Sequence, residues 1–141
     1  FIGHCYLENA DYDKAVKAYF KAEYLGAKPK KVLRQLSWAL LMNGDADQSR
    51  RYLERAMSAT GPVPNDYLNL GHIALVRGDF KEALDSYRRN IATRREAGAL
   101  TEDAAREAFI ADVAEDTAEL GRLGINTELL PLLVDSLFYT L

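Results

Sequence analysis

His4 and Cys5 form the adjacent pair in this chain from which a nucleophile and its base could be built. Thiolate attack needs the imidazole within hydrogen-bond reach of the sulfur. The apolar pattern around both residues predicts a helix, and neighbours on a helix point about 100° apart. The pair therefore cannot do that work. Cys5 is the single cysteine, which excludes an internal disulfide and a cysteine-rich metal site and leaves it the role of a small buried packing residue. His4 and His72 lack a third ligand, so no metal is expected. Gly121-Arg122-Leu123-Gly124 lacks the spacing of a phosphate-binding loop, and no nucleophile elbow occurs. The carboxylates fall on polar helix faces. No catalytic residue and no cofactor are expected.

The elements that carry these residues repeat. Asp11, Asp45 and Asp79 stand at the same point of three segments, and the columns around them agree: Ile2, Leu36 and Leu70; Gly3, Ser37 and Gly71; Leu7, Leu41 and Leu75; Ala15, Ser49 and Ala83; Tyr19, Leu53 and Tyr87. A fixed period of this length marks a stack of helix pairs. In the third segment, Tyr67 to Val76 has apolar residues at three- and four-residue intervals. Gly78-Asp79 breaks the run, the glycine permitting a turn and the aspartate capping the helix that begins near Phe80. Pro29 and Gly61-Pro62-Val63-Pro64 separate the segments, because proline cannot donate the helical hydrogen bond. The small residues Gly3, Ser37 and Gly71 are expected where paired helices cross closely.

The pattern resembles the tetratricopeptide repeat. It is carried by Tyr67, Leu70-Gly71, Gly78-Asp79-Phe80, Ala83 and Tyr87 in the third segment, and by Ile2-Gly3, Tyr6, Asp11-Tyr12, Ala15, Tyr19 and Ala22 in the first. The second is weaker: Leu33, Leu36-Ser37, Leu40, Gly44-Asp45, Ser49, Leu53 and Ala56. Asn90 departs from the pattern by replacing a small residue, and Ala74 by replacing a bulky one. The resemblance implies an all-α fold, an α-α superhelix (a right-handed solenoid) of three helix pairs at about 1–29, 30–63 and 64–97, the first of them truncated. It also implies a protein–protein interaction scaffold or adaptor rather than an enzyme.

After Arg95 the period fails. Thr101 reads as a helix start with Glu102 and Asp103 in the first turn, where negative charge suits the helix dipole. The remainder, 98–141, is expected to form two capping helices, about 102–120 and 128–140, the second capped by Thr127. That last helix is apolar nearly all round and must be buried. It either caps the stack or makes a homodimer through Leu130, Leu133, Leu137 and Phe138. At roughly 14 residues it is too short to span a bilayer. The stretch from Leu123 to Tyr139 resembles the closing segment of certain bacterial tetratricopeptide proteins without an assigned activity. With Phe1 falling inside a patterned helix, the chain reads as the C-terminal piece of a longer array, in which a targeting segment could lie upstream. A cytoplasmic location is favoured.

In tetratricopeptide arrays the first helix of each pair lines a concave groove. Transferring that register puts His4, Trp38 and His72 in one column, with Leu7, Leu41, Leu75, Met42 and Val76 beside them and Arg34 and Leu68 at the rim; Lys31 and Asn65 join that rim. Such a surface suits a peptide or a partner helix. Trp38, the single tryptophan, is the expected hot spot, with ordinary core packing as the alternative. At the positions of the chaperone-binding carboxylate clamp stand His4, Gln35, Asn65 and Asn69. The cationic pair is missing, which disfavours that use. Charge is uneven: residues 1–95 hold 16 Lys/Arg against 11 Asp/Glu, and residues 96–141 hold 2 against 10. A basic column, Lys21, Arg55 and Arg89, with Arg50, Arg51, Arg88, Arg94 and Arg95 nearby, is expected to be solvated or paired with Glu107, Asp112 and Glu115. The negative whole-chain charge and the lack of a stacking platform argue against nucleic acid.

Overall fold

Each helical hairpin turns on one residue of positive φ placed just before the marker aspartate: Ala10 (φ 58°), Gly44 (φ 88°) and Gly78 (φ 80°). The hydrogen bonds around the three are the same. The turn residue donates to the carbonyl three residues back (Ala10 to Leu7, Gly44 to Leu41, Gly78 to Leu75), and the aspartate N–H donates five residues back, to Tyr6, Leu40 and Ala74. This left-handed closure satisfies carbonyls that the helix end leaves open. Gly124 (φ 93°) and Ile125 close the seventh helix in the same way.

The computed structural model describes residues 2–26, 28–98 and 100–139. Phe1, Ala27, Ala99, Thr140 and Leu141 lie outside the described residues, as do the side chains of Ile2, Pro29, Lys30, Lys31 and Tyr139, and parts of the sequence reading fell on these positions. The described residues form eight helices and no strand: α1 (Ile2–Glu8), α2 (Tyr12–Tyr24), α3 (Pro29–Met42), α4 (Ala46–Thr60), α5 (Pro64–Arg77), α6 (Phe80–Gly98), α7 (Glu102–Arg122) and α8 (Leu129–Tyr139). The all-α helical-repeat class expected from the period is what forms.

Helix starts follow local chemistry. Pro29 and Pro64 occupy first-turn positions, where a missing N–H costs nothing. Asp45 accepts from the Gln48 amide at 3.0 Å, and Asp79 from the Glu82 amide at 3.1 Å. Asp11 makes no such cap and lies 3.5 Å from the Lys14 ammonium. Thr101 caps α7 through the Ala104 amide at 3.2 Å. At α8 the expected cap moves by one residue: the Asn126 side chain, not that of Thr127, accepts from the Glu128 amide at 3.1 Å, and the helix begins at Leu129.

The chain divides into two compact units, residues 1–62 and 63–141. The division falls inside the expected array of repeats, so the third helix pair belongs with the C-terminal helices. In the first unit α1 pairs with α2 and α3 with α4, and α2 packs on α3. Its core holds Ala15, Val16, Tyr19, Val32, Leu36 and Leu40. In the second unit α6 packs against α5, α7 and α8, around Leu68, Leu75, Tyr87, Phe109, Val113 and Leu120. No helix among the described residues is long and apolar enough to cross a membrane.

Close crossing of paired helices is visible at Gly71. A Cβ there would lie 2.2 Å from Cε1 of Tyr87, far inside van der Waals contact, and Tyr87 has no exposed surface on which to retreat. In the second pair the tyrosine column holds Leu53 instead. The facing position there is Ser37, whose hydroxyl donates to the Ser49 carbonyl at 2.8 Å while the Ser49 hydroxyl donates to the Ser37 carbonyl at 2.6 Å. Asn90, a departure from the repeat pattern, is buried and donates to the Pro64 carbonyl at 2.7 Å, tying α6 to the start of α5. Two expectations of burial need correction: Cys5 is exposed rather than packed in the interior, and α8 is not buried on all sides. Leu130, Leu133, Val134, Leu137 and Phe138 pack on the core of their own unit, whereas Leu129 and Leu132 are 47% and 61% exposed.

Two stability changes follow. Gly71→Leu is expected to cost roughly 1–3 kcal/mol or more as overpacking, read as a lowered midpoint in denaturant titration. Ala10→Gly removes a side chain from a left-handed conformation and should raise stability by about 0.5–1 kcal/mol in the same assay.

Candidate functional site

The column His4, Trp38 and His72 sits on the first helix of each pair, and in the structure it splits in two. Both histidines turn to the tyrosine fifteen positions on, in the second helix of the same pair. His4 Nδ1 meets the Tyr19 hydroxyl, and His72 Nδ1 meets the Tyr87 hydroxyl at 2.7 Å. Their rings also touch, with centroids 5.4 Å and 5.6 Å apart. Trp38 has Leu53 at the corresponding place, which offers no hydroxyl. Trp38 is partly buried, and its indole N–H has no hydrogen-bond partner among the described residues.

In the second unit the histidine is bonded on both sides. His72 Nε2 lies 2.9 Å from Oδ2 of Asp116 on α7. An ionised carboxylate only accepts, so Nε2 carries the proton, and in the neutral ring Nδ1 accepts from the Tyr87 hydroxyl. Three helices, α5, α6 and α7, are thus joined by one chain of hydrogen bonds. Tyr87 and His72 have no exposed surface, so neither presents an atom to a substrate. Burial, and then the charge of Asp116, push the Tyr87 hydroxyl above its ordinary pKa, which holds it as a donor. Burial, with a smaller contribution from Glu8, pushes Tyr19 up to about 12. The arrangement resembles a proton relay in composition, yet it acts as a brace. The spacing of the two His–Tyr pairs could have been read from the sequence, since it occurs twice. Asp116 could not, because α7 lies outside the period.

The remaining expected groove residues distribute as follows. Leu41, Met42, Leu68, His72 and Leu75 are buried, so they belong to the interior of their units rather than to an open face. Leu7 is partly buried against the core of the first unit. Arg34 donates to Thr60 Oγ1 at 2.8 Å and to the Gly61 carbonyl at 3.0 Å, joining the start of α3 to the end of α4. Val76 is partly exposed and lines, with Phe80, Ile125 and Leu129, an apolar cleft of about 250 Å³ in the second unit. The self-association set Leu130, Leu133, Leu137 and Phe138 turns inward, leaving Leu129 and Leu132 as the exposed leucines of α8. Of the basic residues, Arg94 pairs with Asp112 on α7 at 2.6 Å, and Arg55 with Glu23 at 2.6 Å.

Residues 67–99 match a model of the tetratricopeptide repeat, and residues 1–25 match a second model of the same repeat. No curated protein and no solved structure matches the chain.

The brace makes a prediction in two parts. Tyr87→Phe leaves His72 Nδ1 buried without a donor and should cost about 1–3 kcal/mol near neutral pH. A tyrosine whose folded pKa is raised contributes fully below its unfolded value, 10.0 for Tyr19, and loses that contribution as pH climbs through the folded value, because the unfolded chain releases its proton first. Denaturant titrations from about pH 9 to 12 should show wild-type stability falling, and Tyr19→Phe should flatten that fall.

Proposed function

We propose that this tetratricopeptide repeat protein is an adaptor that holds a peptide or partner helix against the first-helix face of its repeats, with Trp38 on α3 as the anchor. Tetratricopeptide repeats are generally protein–protein interaction modules, and the family is typically non-catalytic. The observation that carries the reading is the split of the His4, Trp38 and His72 column. Two of its members engage, through Nδ1, a tyrosine of their own helix pair, while the Trp38 indole N–H, at a partly open position, has no hydrogen-bond partner among the described residues. A large flat ring with one free donor is the commonest kind of interface hot spot. His4 and Leu7, also partly open, extend the apolar surface available within the first unit, and the buried Leu41 and Met42 make its backing.

Since Trp38 is the single tryptophan, its emission reports on this place alone. Peptides selected from a random display library against the full chain are expected to shift Trp38 fluorescence on binding. Trp38→Ala should weaken them by about tenfold or more, the loss of a hot spot worth at least 1.4 kcal/mol, with helical circular dichroism unchanged. Binders that leave the emission untouched and hold Trp38→Ala as tightly as the parent would refute the assignment.

A further inference from the structure

A second surface lies on α6, α7 and α8, and the adaptor reading does not use it. Arg88, Ile91 and Arg95 of α6, Glu102 and Arg106 of α7, and Phe138 of α8 line a cleft of about 250 Å³. Its floor is apolar: Ile91 and Phe138 pack on the core of the unit from behind and are only partly buried. Three guanidinium groups stand around that floor against one carboxylate, a balance of +2. Their partners leave them unequal. Arg106 is held in place, bonded to Glu102 at 3.0 Å and lying 4.9 Å from the centre of the Phe138 ring. Arg88 lies 3.6 Å from Asp85 in an exposed pair, a kind that contributes little and exchanges readily. Arg95 is exposed and has no side-chain partner among the described residues. The basic spot adjoins a segment, 96–141, that carries 10 acids against 2 bases.

Size and charge select the occupant. Pockets for whole small ligands run from roughly 300 to 1,000 Å³, so this cleft takes one bulky side chain rather than a complete small molecule. Nucleic acid would need a continuous basic track with stacking rings, whereas here three arginines border an acidic segment. We infer that the cleft is a docking site for an acidic peptide segment bearing one aromatic or large aliphatic side chain. The apolar group sits between Ile91 and Phe138, and flanking carboxylates meet Arg95 and Arg88, which the geometry leaves ready for charge-assisted hydrogen bonds.

The test uses the full chain and a fluorescein-labelled peptide with a central phenylalanine, two glutamates on each side and blocked ends. Fluorescence anisotropy should rise saturably and weaken with added salt. Arg95→Gln should weaken binding about tenfold, and the double variant Arg88→Gln/Arg95→Gln further, as expected for lost charge-assisted bonds. Peptides with glutamine for glutamate, or with glycine at the centre, should lose binding, while Trp38→Ala should leave it intact, which separates this site from the adaptor surface. The inference is overturned by absence of binding at low salt, by equal affinity in the double arginine variant, by equal affinity for either control peptide, or by an oligothymidylate that binds through the same arginines more tightly than the peptide.

Discussion

The α5–α6 pair of this protein closes where a ring on the second helix fills a space that the first leaves empty. At Gly71 even one methyl group would fall inside the buried Tyr87 ring. The contact brings the backbones near enough for the Tyr87 hydroxyl to reach His72 on the next residue of the same helix. Packing and hydrogen bonding are thus one event: glycine admits the ring, and the ring delivers its hydroxyl. Because the interior is dense, neither partner has an alternative place to go.

The second helix pair solves the same problem differently, and that difference matters for binding. With Leu53 in place of tyrosine, Ser37 fits opposite, and two serine hydroxyls lock the backbones reciprocally. No hydroxyl then remains to engage the next residue on α3. The position that holds histidine elsewhere can hold Trp38, freed from the internal brace. A departure from the repeat pattern, which by itself reads as a weak repeat, is the place where the column loses its tyrosine partner. The expected groove changes accordingly: several of its members, His72 and Leu75 among them, belong to the core.

Charges that are lopsided along the chain are reconciled by contacts between α6 and α7. Arg94 meets Asp112, which neutralises one of the arginines near the basic column. Arg88, Arg95 and Arg106 stay at the surface around Ile91 and Phe138. What remains is a small mixed surface in which one partly buried ring and several guanidinium groups lie side by side, a combination that favours orientation-specific recognition over diffuse attraction.

The sequence alone determined the all-α repeat class, the hairpin turns at Gly44 and Gly78, the caps at Asp45, Asp79 and Thr101, and the close crossing at Gly71. These features depend on neighbours a few positions away or on a partner one fixed interval along the chain, so a period reveals them. The tertiary structure alone decided that Asp116 completes the His72 brace, that Leu130 turns inward while Leu132 faces out, and that the Trp38 indole N–H has no partner among the described residues. Each of these depends on how a helix is rotated about its own axis. For α7 and α8, which lie outside the period, that rotation is set by packing against α6, and no local rule encodes it.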